Sequence, residues 1–286
     1  MSVSWSWSTT GYGFASKTTE EIIALCGHAG LGGVEAVTPF LQGLRDNEIE
    51  AMGKQFREGG VQIETFHLPF SPADDISSFY ETVRRSAVEN MKMWIERSAL
   101  LGASVGVQHP TTARYDAEFE GMDRYISQLA RSLDDLLPLA EQFDYTIALE
   151  NLPPGDIGGR LSSRPAHFER FVREFDHPNL GFILDTGHAL ISSGPDADEF
   201  HRIMAPRMVA YHLADNAGDR DSHLAPGHGA VDWTTVFRRA SEIEYSGCMC
   251  IETPPFAHTP NGDFQPDDWK QLVDDTAKLA NAALAS

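Results

Sequence analysis

Eight short, nearly unbroken apolar runs recur along the chain at intervals of roughly 30–40 residues, and the stretches between them carry helical spacing. The runs are Val3–Trp7, Gly33–Val37, Val61–His67, Ser104–His109, Thr146–Glu150, Gly181–Asp185, Met208–Leu213 and Cys248–Glu252. A strand that is apolar on both faces has to be covered on both faces, which is the situation of a parallel strand between helices. Between the runs, Ile126, Leu129, Leu133, Leu136, Leu137 and Ala140 form one apolar helical stripe, and Thr18-Thr19-Glu20-Glu21 reads as a capping sequence for the first helix. Eight strand–helix units, ended by a helix from about Asp267 to Leu284, suit a closed cylinder. A dinucleotide-binding open sheet lacks its main signature, since no Gly-x-Gly-x-x-Gly turn follows the first strand. The expected fold is α/β, a single (β/α)8 TIM barrel over residues 1–286; no linker or low-complexity tract marks a second domain.

The polar residues at the ends of these strands are the second constraint. "IETFHLPF" ends in His67, "SVGVQHP" in His109, "TIALENLP" in Glu150, "GFILDTGHAL" in Asp185 followed by His188, "MVAYHLADN" in His212 and "CMCIETPP" in Glu252. In a parallel barrel all of these emerge at the C-terminal mouth. One buried His or Glu is usually a satisfied hydrogen-bonding group, but six strands in a row would each need a partner. A shared divalent cation supplies one for all of them. Glu150, Asp185, His212 and Glu252 make a set of three carboxylates and one imidazole with no thiolate, which suits Mn2+ or Mg2+ best and leaves Zn2+, Co2+ and Fe2+ open.

These pieces resemble the xylose isomerase-like barrel superfamily, which holds sugar and ketose isomerases and epimerases, inosose dehydratases and the endonuclease IV type of DNA-repair enzyme. The resemblance rests on "LENLP", "LDTGHA", "YHLADN", "DSHLAPGHGAVDW" and "IETPP", in order and at the family's spacing. It implies that Glu150, Asp185, His212 and Glu252 hold one divalent metal, and that Glu150 and Glu252 double as the acid/base pair. In that scheme a proton is removed next to a sugar carbonyl and returned through a metal-stabilised enediolate. His188 then contacts a substrate oxygen, His67 and His109 approach the same pocket, and Asp156 sits where several epimerase-like members carry a sugar-contacting carboxylate. The arginine that such members have six residues after the metal-binding histidine is Gly218 here, with Arg220 two further on. Asp221 and His223 match two further zinc ligands of the endonuclease IV branch, completing a nine-residue, three-metal set with the other seven.

Charge separates the readings. Lys and Arg number 22 against 42 Asp and Glu, a formal charge of −20, and no Lys/Arg cluster of five or more occurs. Such a field disfavours a phosphate-gripping nucleic-acid enzyme. Trp5, Trp7, Tyr12, Phe14 and Phe40 instead suggest an apolar wall for a sugar ring. Neither "GGR" at Gly158–Arg160 nor "PGHG" at Pro226–Gly229 matches a phosphate cradle, which favours an unphosphorylated carbohydrate. The expected activity is a metal-dependent sugar isomerase or epimerase; a sugar or inosose dehydratase or lyase on the same site, abasic-site repair, and a non-catalytic metal-stabilised scaffold are the alternatives.

Cys26, Cys248 and Cys250 read as core filling rather than as disulfides or a zinc site. No signal peptide is evident and no 18 apolar residues run together, so a cytoplasmic setting without membrane contact is expected. His28, His167, His177, His201 and His258 read as surface or capping residues, and His228 as part of a loop over the pocket. Barrels of this kind often pair, which keeps a homo-oligomer open.

Overall fold

In the computed structural model, which describes residues 5–14, 16–253 and 265–285, eight parallel strands close into a barrel in sequence order. The strands are β1 (Ser6–Thr10), β2 (Gly33–Val37), β3 (Thr65–His67), β4 (Val105–Gln108), β5 (Thr146–Glu150), β6 (Leu180–Asp185), β7 (Met208–Leu213) and β8 (Cys248–Ile251). Helices cover the outside, the longest being Glu81–Leu101, Met122–Gln142 and Pro266–Ala285. β1 closes the ring on β8, with Ser6 opposite Cys248 and Thr9 opposite Ile251.

Side-chain alternation divides β5, β6 and β7 between two cores. Val34, Phe66, Ile147, Leu149, Phe182, Leu184, Tyr211, Leu213, Met249 and Ile251 belong to the large cluster shared with the helices. Val105, Val107, Ala148, Ile183 and Ala210 form a separate small cluster within the barrel. The residues two positions on from the last three are Glu150, Asp185 and His212. Pleating therefore aims each of them inward above the small apolar plug. The barrel interior is dry at its base and polar at its mouth.

The first strand lies three residues later than its apolar content suggests. Val3 and Ser4 fall outside the described residues, and Trp5 stacks on Phe237 with ring centroids 5.6 Å apart. The strand is instead "SWSTT", whose Ser8, Thr9 and Thr10 are buried. Thr9 compensates for its burial by donating its hydroxyl to the Ile251 carbonyl, so a polar run here is core sequence. β3 is likewise shorter than the apolar run Val61–His67, because Gln62 meets Gly33 only through an isolated bridge. The three cysteines are free and buried, as core filling requires. Among the described residues no helix is long and apolar enough to cross a membrane.

One buried carboxylate organises the loop after β7. Asp215 accepts hydrogen bonds from the backbone N–H groups of Asn216, Gly227 and Val231 and from the Trp233 indole. Gly229 packs so tightly here that a Cβ would sit 2.3 Å from the Asn216 carbonyl oxygen and 2.3 Å from Asp215 Oδ1, which only glycine escapes. This loop delivers Asp221 and His223 to the barrel mouth. Replacing Asp215 with Ala leaves several buried donors unpaired, each worth about 1–3 kcal/mol. The expected outcome for D215A is a loss of at least about 3 kcal/mol in urea unfolding; a loss within experimental error of zero contradicts the role assigned to Asp215.

Candidate metal centre and active site

The "LDTGH" sequence shows how local structure prepares the site. Asp185 ends β6 and caps the next helix, Thr186–Ser193, by accepting the His188 N–H on Oδ1 at 2.6 Å. The cap occupies one carboxylate oxygen. The other, Oδ2, is buried and receives no hydrogen bond. The same first turn brings the His188 ring within 3.7 Å of Oδ1. Asn151, just past β5, locks β5 to β6 by accepting from the Asp185 N–H at 2.7 Å and donating to the Asp185 carbonyl at 2.8 Å. Thr186 ties β6 to β7 in the same way, through the Ala214 backbone.

These ties fix a cluster whose donor atoms all lie within 4.8 Å of one another: Glu150, Asp185, His212 and Glu252. His212, paired with Asp185 across β6 and β7, is its centre. Its Nδ1 is 3.2 Å from Glu150 Oε1 and 3.0 Å from Glu252 Oε2. All four residues are buried, so their carboxylates cannot shed charge into water. Like charges at this separation, with the Asp185 Oδ2 atom left without a donor, fit a divalent cation well.

Four further imidazoles pack against this cluster or against Asp221 beside it. His109 Nε2 lies 3.0 Å and His67 Nε2 3.8 Å from Glu150 Oε2. His188 Nε2 contacts Asp221 Oδ2 at 3.1 Å, and His223 Nε2 reaches the same oxygen at 3.3 Å. His223 also places Nδ1 3.0 Å from the Glu252 carbonyl oxygen. Nine of the eleven sequence-derived site residues therefore converge. The other two stand apart: Asp156 is 69% exposed in its side chain and pairs with Arg114, and Arg220 is exposed on the loop after β7.

Four residues escape the strand-end reasoning. Glu35 sits inside the apolar run "GVEAV", two positions before the end of β2, and is fully buried against His212. Asn151 is an uncharged neighbour of a ligand candidate. Phe70 stacks on His109 and tilts against His67, with centroids 4.6 and 4.8 Å apart. Arg160, from the "GGR" run, is 8% exposed and, among the described residues, spends only its Nε on protein, donating to the Pro153 carbonyl at 2.8 Å. Glu35 carried the clearest signal, a lone carboxylate within an otherwise apolar strand.

The aromatic wall is also different from expectation. Trp5 and Trp7 pack on Phe237, and Phe14 packs on Trp269 at 5.2 Å, all in the outer core. Phe40 is only partly buried and also packs against that core. Of the five, Tyr12 stands at the mouth, 6.3 Å from the His67 ring. His167 and His201 are not surface residues either: both are buried, and burial pushes both rings down to about 4. His201 shares a hydrogen bond with the Tyr211 hydroxyl, while His258 lies outside the described residues.

Electrostatics within the cluster are strongly coupled. Burial and the neighbouring Glu252 and Glu150 push Asp185 up to about 8, against the pull of His188. Burial opposes the charged His188 ring, but Asp185 and Asp221 outweigh it and raise the ring to about 9. His223 is raised to about 10 by its Asp221 hydrogen bond and by Glu252, again against burial. Glu252 goes the other way: despite burial, His212 and His223 hold it at about 2. Glu150 is likewise held well below the usual range by His109 and His212. Protonated imidazoles thus take up the role a cation would fill.

Fold and cluster together define a (β/α)8 barrel protein with an acidic and imidazole-rich cluster at its C-terminal mouth. The model of the xylose isomerase-like TIM barrel family matches residues 23–283, and the chain belongs to that family. It is 31% identical over 191 residues to an uncharacterised protein of Methanocaldococcus jannaschii, covering 65% of this chain and 62% of that protein. It is 30% identical over 108 residues to the inosose dehydratase of Geobacillus kaustophilus, covering 30% of this chain and 35% of the dehydratase. Among solved structures, a D-tagatose 3-epimerase-like protein superposes with a TM-score of 0.78 at 24% identity, covering 98% of this chain and 99% of its own. The IolI protein with a bound zinc atom superposes with a TM-score of 0.77 at 16% identity, over 97% and 99% of the two chains.

A stability profile follows from the coupled groups. Raised histidines stabilise the fold fully below their unfolded value of 6.5 and lose that contribution as pH rises through about 9 for His188 and about 10 for His223. Asp185, raised from 3.8 to about 8, adds a loss in the same direction as its buried carboxyl is forced to ionise. Chelator-treated protein is therefore expected to melt at progressively lower temperature from about pH 6.5 to pH 10, the window set by these shifts. Scanning calorimetry across that range checks it, and a flat or rising profile contradicts it.

Proposed function

We propose that the protein is a divalent-metal-dependent isomerase or epimerase of a keto-sugar or related polyol. The observation that carries this reading is the buried cage of Glu150, Asp185, His212 and Glu252, with donor atoms within 4.8 Å and one oxygen of each of its three carboxylates left without a hydrogen bond. The inosose dehydratase relative and the fold shared with a D-tagatose 3-epimerase-like protein support carbohydrate as the substrate class. Three carboxylates and one imidazole favour Mn2+ or Mg2+, and Zn2+ is also compatible with this donor set. A cation held there supplies electrophilic stabilisation for the oxygens that flank the carbon losing its proton.

The remaining chemistry belongs to the side chains. Glu150 and Glu252 both face His212 Nδ1 and are held ionised, so each is competent to accept a proton from carbon next to a carbonyl. Return of a proton to the opposite face of that carbon gives an epimer; return to the neighbouring carbon gives the aldose–ketose isomer. Loss of a β-substituent in place of reprotonation gives the dehydratase or lyase outcome. His188 spends Nδ1 on the Asn151 carbonyl and Nε2 on Asp221, so a substrate oxygen that displaces the Asp221 carboxylate would take the Nε2–H. Arg160 offers a guanidinium fork that is uncommitted among the described residues and whose charge is felt by Glu150 and Asp221. Tyr12 and Phe70 supply the apolar faces.

The test is exchange of solvent deuterium into the carbon next to the carbonyl, across a panel of unphosphorylated ketoses and inososes with Mn2+. E150Q and E252Q are each expected to slow exchange by at least about 100-fold, and chelator to abolish it. Parent-like exchange in both variants defeats the acid/base assignment.

A second reading is favoured by one further observation: His67, His109 and Glu150 form another donor trio within 4.8 Å, and Asp221 joins His188 to His223. This arrangement suits more than one metal and the abasic-site repair chemistry. Elemental analysis after zinc loading separates the readings. The proposed sugar chemistry expects one tightly held metal per chain and no incision of an abasic-site duplex at low salt. Three metals with robust cutting would favour repair.

A further inference from the structure

Glu35 is a buried carboxylate that the proposed proton chemistry leaves unused. It belongs to β2, three strands around the barrel from β7, and neither it nor His212 has measurable exposure. Both of its oxygens face one atom: Oε1 is 3.1 Å and Oε2 3.0 Å from His212 Nε2. Among the described residues, His212 is its only ion-pair partner. A carboxylate placed there solely to fill space is a costly choice, because a leucine would do so without desolvating a charge.

The geometry divides the His212 ring into two halves. Nε2 faces Glu35, whereas Nδ1 faces Glu150 and Glu252. A neutral imidazole donates from one nitrogen and accepts at the other, and its environment decides which. With Nε2 bare, its lone pair would lie against two carboxylate oxygens; with Nε2–H, that contact becomes a hydrogen bond. We infer that Glu35 is the positioning residue of the cage: it accepts the Nε2–H of His212 and so keeps the Nδ1 lone pair directed at the space between Glu150, Asp185 and Glu252. This inference rests on the metal-dependent reading above. A carboxylate behind a metal-binding histidine also raises the basicity of the ring.

Cys250 completes a trio with Glu35 and His212 whose donor atoms lie within 4.8 Å, which raises the question of a cation on that side instead. The spacing on that side is that of a hydrogen bond, with both Glu35 oxygens 3.0–3.1 Å from His212 Nε2.

The experiment is a calorimetric titration of Mn2+ into chelator-stripped parent, E35L and E35Q. E35L removes charge and acceptor together, and its dissociation constant is expected to rise about 10- to 100-fold. E35Q keeps an amide oxygen that can accept the Nε2–H, so a smaller rise is expected. Stripped E35L is expected to melt lower whichever role Glu35 plays, because the buried Nε2–H of His212 loses its acceptor; the Mn2+ affinity, with its partial rescue in E35Q, is the readout that separates positioning from packing. Mn2+ binding by E35L within twofold of the parent overturns the inference. A measurement on the parent stands should E35L fail to fold: 15N spectra of the zinc-loaded protein are expected to show His212 protonated at Nε2, and protonation at Nδ1 overturns it. If the stripped parent takes up no Mn2+, the proposed function falls together with this inference. If the parent binds and E35L matches it, the inference alone falls.

Discussion

The mutual repulsion of buried carboxylates around one imidazole is the interaction on which the rest of the site depends. At a separation of about 4 Å, two unit charges interact by about 4 kcal/mol even at an effective dielectric constant of about 20. Glu150, Asp185, Glu252 and Glu35 crowd His212 with almost no access to solvent. The structure answers this stress by raising Asp185 toward its neutral form and by holding His188, His212 and His223 charged. Both responses keep protons on the site at neutral pH. A divalent cation relieves the same stress without protons, which is why metal binding, proton release and stability are one linked equilibrium here.

The barrel creates this crowding from ordinary strand rules. An apolar residue two positions earlier, such as Ala148, Ile183 or Ala210, anchors the inner plug, and pleating then turns the next inward residue toward the mouth. Lateral ties from Asn151 and Thr186 hold neighbouring strand ends in step. The Asp185 cap commits one oxygen to the following helix and leaves the other exposed to its neighbours' charge. Asp215 shapes the long loop that adds Asp221 and His223 from a distance in sequence. Thus the same backbone devices that close the fold also determine which atoms meet.

Much of this was legible in the residues, and the exceptions have physical causes. Strand-end carboxylates and histidines were visible because polar groups interrupt apolar runs at a repeated place. Glu35 gives no such sign because it interrupts its strand from within, and only the inward direction of its side chain joins it to β7. Apolar content places β1 three residues early because Ser8, Thr9 and Thr10 are buried through hydrogen bonding rather than through apolar character. Arg160 was hidden by its loop: a single arginine after two glycines has no periodicity to show that it is buried. Asp156 and Arg220, carried in by resemblance, remain on the exterior, where side-chain placement depends on loop geometry rather than strand register. The acidic balance of −20 belongs to the whole surface, whereas at the mouth buried imidazoles and Arg160 offset it locally.

The most direct test of the central claim is a crystal structure of the Mn2+-soaked protein with anomalous diffraction recorded at the manganese edge. The account predicts a single dominant peak bounded by oxygens of Glu150, Asp185 and Glu252 and by His212 Nδ1, each at roughly 2.0–2.3 Å. Absence of density there, with those carboxylates turned apart or the ion bound elsewhere, would contradict it.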